Sequence, residues 1–296
     1  MKNSTEFWPA APDLRHSDIA FSFRGHDYLG HMVAPAEIAG PKPMVMVIHN
    51  YQGLKFFDID VAEYIARLGY VGFAIDLYGD RVPANERLWP EDETQIPAFQ
   101  QKCFEAMVAL DHDHEHFRAL LKAWLDQGMH HDFVDASIAP AAIGYCFGGV
   151  AVLEAVRGGL GLGGVVSLHG LLQTGEDPNP ARFNAERPPL KQCENNYNMQ
   201  TVVVVENGAE DELVPDDSKQ RFFDEMNEAG TDWIFHHYAA TPHGFALPPT
   251  LGPPGRLHES TDRRSTMNML NLFKEIFPGV RQNSVGHNAS GTSIPD

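Results

Sequence analysis

A glycine-flanked cysteine at the end of an apolar run constrains this chain more than any other stretch, since residues 141–149 read AAIGYCFGG. A Gly-x-Cys-x-Gly pattern after such a run is typical of a buried strand that delivers a nucleophile to a sharp turn before a helix. Glycine is needed there because a side chain at Gly144 or Gly148 would collide with the adjoining strand or helix. The pattern predicts that Cys146 faces the first N–H groups of the next helix, which favour a thiolate. The alternative at this point is a structural cysteine beside glycines that permit tight packing.

Short apolar runs alternate with helical patterns along most of the chain. Residues 44–48 (MVMVI) and 201–205 (TVVVV) are apolar on both faces, as strands of a covered parallel sheet must be. Helical patterns over residues 58–68 and 216–229 are each followed by a glycine that can cap a helix. The alternation favours right-handed crossovers and predicts an α/β fold with a doubly wound, mostly parallel sheet.

The remaining elements are predicted from the same signals. Apolar alternation before and after Arg24-Gly25-His26 predicts an antiparallel hairpin at the N-terminal edge of the sheet. Further strands are predicted at residues 70–75, 165–168 and 232–238, and further helices at about residues 99–125, 149–156 and 258–276.

Length and composition limit the function classes. The chain has 296 residues, and we expect one α/β domain over residues 1–280 and a disordered polar tail over residues 281–296. A formal charge of -18 argues against nucleic acid or anionic membranes as partners. Three cysteines form no disulfide framework, and no segment approaches the roughly 20 apolar residues of a membrane span. A cytoplasmic monomer or small homo-oligomer is expected.

Three chemically active residues each follow a predicted strand: Cys146, Asp211 and His243. Ligands bind at that edge of an open α/β sheet, and the order nucleophile, acid, histidine is the order of the α/β-hydrolase triad. In that arrangement His243 exchanges protons with the thiol and the leaving group, while Asp211 orients the imidazole. The oxyanion would be held by the backbone N–H groups of Phe147, just after the nucleophile, and Tyr51, in the loop after an early strand.

Two of these assignments have alternatives. Asp211 competes with Glu206, Glu210 and Glu212, and we favour it because it leads into Leu213-Val214-Pro215 at the turn before a helix. His243 could be an ordinary loop histidine, but its position after the last strand favours catalysis.

A cluster of His112, His114 and His116 has the composition of a metal site. On a helix, residues two apart point about 200° away from each other, so the three side chains cannot share one ion, and His112 with His116 is the only coordinating pair. No metal site is predicted.

The chain resembles the dienelactone hydrolase family of α/β hydrolases over roughly residues 19–277. The resemblance is carried by residues 45–54, 68–79, 144–149, 243–245, and Asp211 with Val214-Pro215. It implies a Cys-His-Asp triad that acts on ester or lactone bonds without metal or organic cofactor. It also directs attention to residues expected to contact a substrate: Asn50, Tyr78, Arg81, Tyr145 and Phe245.

The chain departs from this family's pattern at two places. Asn50 stands where family members carry a glutamate that interacts with the resting cysteine, and a neutral amide cannot accept a proton as a carboxylate can. Arg81 lies near the first of two arginines that hold the substrate carboxylate in dienelactone-processing members. Ala246 and Leu247 follow the histidine where the second would be expected, which argues against a two-arginine clamp.

The predicted function is hydrolysis of a small ester or lactone through a Cys146 acyl-enzyme. The alternative from another class is a non-hydrolytic ligand-binding or thiol-reactive protein on the same fold, with Asn50 as the sign of lost thiol activation.

Overall fold

A computed structural model describes residues 13–37, 40–83, 90, 92–176, 187–251 and 256–294, so the first part of the expected domain, residues 1–12, lies outside this range. The strands are β1 (Leu14–Phe23), β2 (His26–Pro35), β3 (Met44–Ile48), β4 (Val71–Ile75), β5 (Ala141–Tyr145), β6 (Gly164–Leu168), β7 (Val202–Glu210) and β8 (Asp232–Pro242). The helices are α1 (Phe56–Arg67), α2 (Ile96–Asp111), α3 (His114–Met129), α4 (Phe147–Arg157), α5 (Asp216–Ala229) and α6 (Glu259–Ile276). Of the described helices, none is long and apolar enough to cross a bilayer.

The eight described strands form one sheet in the order β1-β2-β4-β3-β5-β6-β7-β8. The strands from β4 to β8 pair in parallel, while β1 and β2 form an antiparallel hairpin whose second strand pairs with β4. Strands β3 to β6 are buried on both faces, which is why their sequences lack a polar side. The predicted fold class, a doubly wound and mostly parallel α/β-hydrolase sheet with an N-terminal hairpin, is confirmed.

Helices cover both faces of this sheet. Apolar residues of α1 and α6 pack on one face, and those of α2, α3, α4 and α5 pack on the other. Gly230 closes α5 in the left-handed conformation, with φ of 70°, and Gly69 follows α1 with φ of 102°. Both positions require a backbone geometry that only glycine adopts without strain, so the predicted helix ends are confirmed.

The prediction of one helix over about residues 99–125 is wrong, because α2 ends and α3 begins within the histidine cluster. Asp113 is the N-cap of α3, and its carboxylate accepts the backbone N–H of His116 at 3.1 Å. His112 ends α2 by donating its N–H to Val108 O at 3.0 Å. The Asp113 carboxylate gives the N–H group of His116 a partner, so a new helix begins here instead of α2 continuing.

Of the tail expected to be disordered, residues 281–296, the structure describes residues 281–294, and these lie against α6. The Asn288 amide donates to Asp262 Oδ2 at 2.6 Å, and the Thr292 hydroxyl donates to the same oxygen at 2.7 Å. The polar side chains of the tail therefore satisfy a buried carboxylate instead of facing water. The last two residues lie outside the described part of the chain.

Candidate active site

Cys146, Asp211 and His243 are in contact at the carboxyl end of the sheet. Each follows directly on the last residue of its strand, β5, β7 and β8 respectively. The His243 Nε2 atom lies 3.2 Å from Cys146 Sγ, and its Nδ1 atom lies 2.9 Å from Asp211 Oδ2. The histidine therefore bridges the thiol and the carboxylate, as the order of the three residues in the chain predicts.

The elbow at Cys146 has the strained geometry that its glycines suggest. Cys146 has φ of 55° and ψ of -110°, immediately before α4, where a non-glycine residue is held at a cost of about 1–3 kcal/mol. A Cβ atom on Gly144 would collide with the carbonyl of Gly148, and one on Gly148 would collide with the carbonyl of Ile48. The two glycines thus allow helix and neighbouring strand to approach the turn closely, which aims the Cys146 side chain at His243.

The acidic residue is held in place by its own loop. The Asp211 carboxylate is buried, and its Oδ1 atom accepts the backbone N–H of Leu213 at 2.9 Å while Oδ2 faces His243. Its competitors point elsewhere: Glu206 accepts the hydroxyl of Tyr238, Glu212 pairs with Arg256, and Glu210 is exposed. Among the four acids considered from the sequence, Asp211 is the one that the structure brings to the histidine.

The electrostatics of His243 follow from this arrangement. Burial alone would lower its pKa, but the negative charge at Cys146 and the hydrogen bond to Asp211 outweigh burial and raise the pKa of His243 to about 10. The imidazole is therefore protonated at neutral pH, and its two N–H groups point at sulfur and at carboxylate. A protonated Nε2 atom stabilises negative charge on Cys146 and holds a proton ready for a leaving group.

The loop with the predicted oxyanion donor Tyr51 is fixed from both sides. The Tyr78 hydroxyl donates to Tyr51 O at 2.8 Å, and His49 Nε2 accepts the backbone N–H of Leu77 at 3.0 Å. Tyr51 is buried, and so is Phe147, the first residue of α4 and the other predicted donor. Both predicted donor residues are therefore buried, and the loop that carries Tyr51 is hydrogen-bonded to the segment after β4.

Asn50 takes part in the same loop through its side chain. Its Oδ1 atom accepts the backbone N–H of Gln52 at 2.8 Å, a turn that Asn forms readily. Its carbonyl oxygen lies 2.6 Å from His49 Nδ1. Asn50 is 4% exposed, so the amide shapes the loop from within.

The other predicted substrate contacts fall in different places. Tyr78 is fully buried, and burial together with the nearby Cys103 and Cys146 raises its pKa well above the ordinary value, so its phenol is a neutral donor. Arg81 ends a short 3-10 helix and lies on the hairpin side, close enough to Tyr28 to influence the pKa of that residue.

Tyr145 and Phe245 belong to the core on the α1 and α6 face. The Tyr145 ring packs against Phe57 at 5.1 Å between centroids, and the Phe245 ring packs against His169 at 5.1 Å. Phe245 is 0% exposed, so its side chain does not line a pocket that is open to solvent. The structure thus gives both aromatic residues supporting positions.

Sequence reasoning missed His169, which directly follows β6. Its ring lies 5.3 Å from the ring of His243, and the residue is 0% exposed. The signal that identified the triad applies equally to this residue, because it too stands at the carboxyl end of a predicted strand. It was not recognised because it is the first residue of a long segment, residues 169–200, for which the sequence predicts no regular element.

The histidine cluster does not converge on one point. His112 Nδ1 lies 2.7 Å from Pro188 O, and His116 Nδ1 lies 3.4 Å from Arg24 Nη1. Among the residues that the structure describes, no three His, Cys, Asp or Glu side chains are arranged to hold a metal ion.

Comparison with known proteins places the chain in a family. The profile of the dienelactone hydrolase family matches residues 29–277. The chain belongs to the dienelactone hydrolase family. Among solved structures, the protein designated m3DLH is 30% identical, with a TM-score of 0.70 over 89% of this chain and 99% of that one. A dienelactone hydrolase-like promiscuous phosphotriesterase from metagenomic libraries is 26% identical, with a TM-score of 0.70 and the same coverage of 89% and 99%.

Curated relatives of this family match over shorter segments. A carboxymethylenebutenolidase from a Pseudomonas species is 30% identical over 135 residues, which are 46% of this chain and 52% of the relative. The hydrolase fragment YghX of Escherichia coli is 40% identical over 53 residues, 18% of this chain and 45% of the relative. The chain thus spans about half the length of the curated relatives it matches.

Proposed function

We propose that this protein hydrolyses a small carboxylic ester or lactone through an acyl-enzyme on Cys146. The observation that carries the proposal is the continuous contact from Cys146 Sγ through His243 to Asp211, at 3.2 Å and 2.9 Å, on the edge of the sheet where ligands bind. Membership of the dienelactone hydrolase family, and a carboxymethylenebutenolidase among the relatives, support the same reaction class.

In the first half-reaction the Cys146 thiolate attacks the carbonyl carbon of the substrate and forms a carbon–sulfur bond. The charge that develops on the carbonyl oxygen is received by the N–H groups of Phe147 and Tyr51. The intermediate then expels the alcohol oxygen, and protonated His243 donates its Nε2 proton to that leaving group. The acyl group remains on sulfur, and His243 becomes neutral.

In the second half-reaction a water molecule attacks the thioester. Neutral His243 takes the proton of that water, and the tetrahedral intermediate collapses by releasing the sulfur as a thiolate. The products are a carboxylic acid and an alcohol, and the resting pair of thiolate and imidazolium is restored. Asp211 holds the tautomer and orientation of the imidazole throughout.

Asn50 bears on how the resting thiol is activated. Because a neutral amide cannot take a proton from the thiol, activation rests on His243, whose raised pKa of about 10 keeps it positively charged beside the sulfur. The Asn50 side chain is engaged with the Gln52 backbone, so its contribution is to the shape of the donor loop.

The substrate is expected to be small and without a carboxylate that needs two arginines, because Ala246 and Leu247 are buried apolar residues. Arg81 remains the candidate for contact with a single anionic group. A phosphotriester belongs in the substrate panel, because one similar structure is titled a promiscuous phosphotriesterase. We also propose a cytoplasmic location, in keeping with its free cysteines.

The test is hydrolysis of short aryl esters and lactones by Cys146→Ala and His243→Ala, with Cys193→Ala as the matched control. Cys193 is a half-buried free cysteine that is part of the lining of a different cavity, so its removal should leave turnover unchanged. Both site variants should lose at least about 1000-fold in kcat. Wild-type turnover in either of them would exclude the mechanism.

The alternative, a non-hydrolytic binding or thiol-reactive protein, makes a different prediction for the same thiol. An activated Cys146 should react with iodoacetamide at neutral pH and should give a burst of alcohol release from an aryl ester. An unactivated alkylation profile without a burst would favour the binding protein.

A further inference from the structure

His169 is a buried residue at the site to which the mechanism above gives no role. It stands directly after β6, between β5 with Cys146 and β7 with Asp211 in the order of the sheet. Its φ of 41° lies in the left-handed region, as does the φ of 55° at Cys146. Backbone strain of this kind persists where the surrounding structure imposes it, and it is concentrated at functional sites.

Burial of this imidazole is costly. His169 is 0% exposed, and neither Nδ1 nor Nε2 has a hydrogen-bond partner among the described residues. A buried polar group without a partner costs about 1–3 kcal/mol, and such exceptions call for an explanation. An apolar side chain would avoid this cost, so the imidazole is not explained by packing energy alone.

The surroundings of His169 are aromatic. Its ring meets that of His243 at 5.3 Å and 70°, that of Phe245 at 5.1 Å and 82°, and that of Tyr145 at 6.0 Å and 50°. Edge-to-face contacts at these distances are favourable and fix the relative orientation of the rings. His243 is therefore confined by a ring on one side, while its two nitrogens are fixed by Asp211 and Cys146.

We propose that His169 is a positioning residue of the triad, which keeps the His243 ring in line between Asp211 and Cys146 and keeps water away from it. This inference rests on the proposed function. In it, Phe245 and Tyr145 hold the His169 ring, and the His169 ring in turn holds His243.

The role requires that His169 stay neutral. Burial, and then the positive charge on His243, lower the pKa of His169 well below its ordinary value. A neutral ring can lie against the His243 cation without repelling it. Within the described part of the chain, the other titratable groups facing His243 are Cys146, Asp211 and Glu212, the last of which has its pKa lowered in part by the charge on His243.

The decisive comparison is between His169→Asn and His169→Phe. Asparagine tolerates the left-handed backbone but has no ring, whereas phenylalanine keeps an aromatic ring and loses the nitrogens. Val166→Ala, in β6, is the control for lost core packing, because Val166 is fully buried. Each variant is measured for kcat, KM, melting temperature and pH profile on an aryl ester.

We expect His169→Asn to lower kcat about 10-fold to 100-fold, with KM within about 2-fold of wild type, because a misplaced base affects the chemical step. Its alkaline limb should move from about pH 10 towards neutral pH. Water entering the space would weaken both the effect of burial and the opposing, together larger, effects of Cys146 and Asp211, and would return the pKa of His243 towards its ordinary value. His169→Phe should stay within about 3-fold of wild-type kcat. Val166→Ala should change the melting temperature but not the pH profile.

Two outcomes would overturn the inference. One is a His169→Asn enzyme with wild-type kcat and alkaline limb. The other is a His169→Phe enzyme that melts like wild type but is as impaired as His169→Asn, which would mean that a ring nitrogen is required. Cys146→Ala and His243→Ala separate this result from failure of the proposed function, because active variants at those positions would refute the mechanism itself.

Discussion

Replacement of Gly148 by alanine should damage both stability and turnover, because this glycine lies where α4 meets β3. A Cβ atom there would collide with the carbonyl of Ile48 and lie 2.9 Å from the carbonyl oxygen of His49. Both contacts are with backbone, which cannot rotate away as a side chain can. Relief of the clash therefore needs a displacement of about 1 Å between helix and strand, in a core packed as densely as a crystal.

The magnitude follows from what is displaced. Overpacking of a core costs about 1–3 kcal/mol, and we expect the upper end here, which corresponds to a melting temperature lower by roughly 4–8 °C. The same displacement separates Phe147, at the start of α4, from Tyr51, in the loop that continues from β3. Misplacement of an oxyanion donor costs about 100-fold in kcat, with a smaller effect on KM.

The assay is hydrolysis of an aryl acetate together with thermal unfolding, and Gly161→Ala is the matched control. A Cβ atom on Gly161 would meet no other atom within 4 Å, so this variant should keep wild-type kcat and a stability within about 1 kcal/mol. If Gly148→Ala behaved like Gly161→Ala, the steric account of the elbow would be refuted. A lower melting temperature with unchanged kcat would refute the link between the elbow and the oxyanion donors.

Three further predictions test the site and its support. Because the raised pKa of His243 keeps its charge up to about pH 10, activity should fall as pH rises through that value. In a pH–rate profile, Asp211→Asn should move this alkaline limb to lower pH and reduce kcat by about 100-fold or more. Tyr78→Phe removes only the hydroxyl that donates to Tyr51 O, so kcat on an aryl ester should fall about 10-fold with little change in melting temperature. An unchanged kcat would show that Tyr78 does not support the loop of Tyr51. Arg157→Leu should lower stability in thermal unfolding by about 3 kcal/mol, because it removes the arginine shared by the half-buried Glu225 and the buried Glu154, which keeps only Arg118 as a cationic partner. Arg221→Leu, at an exposed pair with Glu176, should cost less than about 1 kcal/mol, and equal losses would contradict this expectation.

The sequence predicts most of the sheet and the triad because both depend on local signals that few structures share. An apolar run such as residues 44–48 has no polar face, so it fits only a strand covered on both sides. The glycines of the elbow, Gly144 and Gly148, indicate in the sequence that there is no room for a side chain at these positions. In the structure the carbonyl groups of Gly148 and Ile48 occupy that space. The contact of Asp211 with His243 could then be expected from strand ends alone.

What could not be predicted depends on tertiary partners that carry no local signal. The break between α2 and α3 depends on the Asp113 carboxylate, which accepts an N–H group. The docking of the tail depends on the Asp262 carboxylate, which accepts N–H and O–H groups. Aspartate in a polar stretch reads equally well as a solvated residue, so only the fold decides between the two.

His169 shows where this limit matters for function. Its place after a strand was visible in the sequence, but its meaning depends on the ring of His243, 74 positions further along the chain, lying 5.3 Å away. A residue at the carboxyl end of a strand lies close enough to reach the site, and the chemistry of its side chain then decides whether it can react. The neutral imidazole of His169 satisfies the first condition but not the second, because neither of its nitrogens forms a hydrogen bond with a described residue, so we assign it to the support of His243 rather than to the reaction. The same reasoning applies to Tyr78, whose phenol acts on the donor loop through Tyr51.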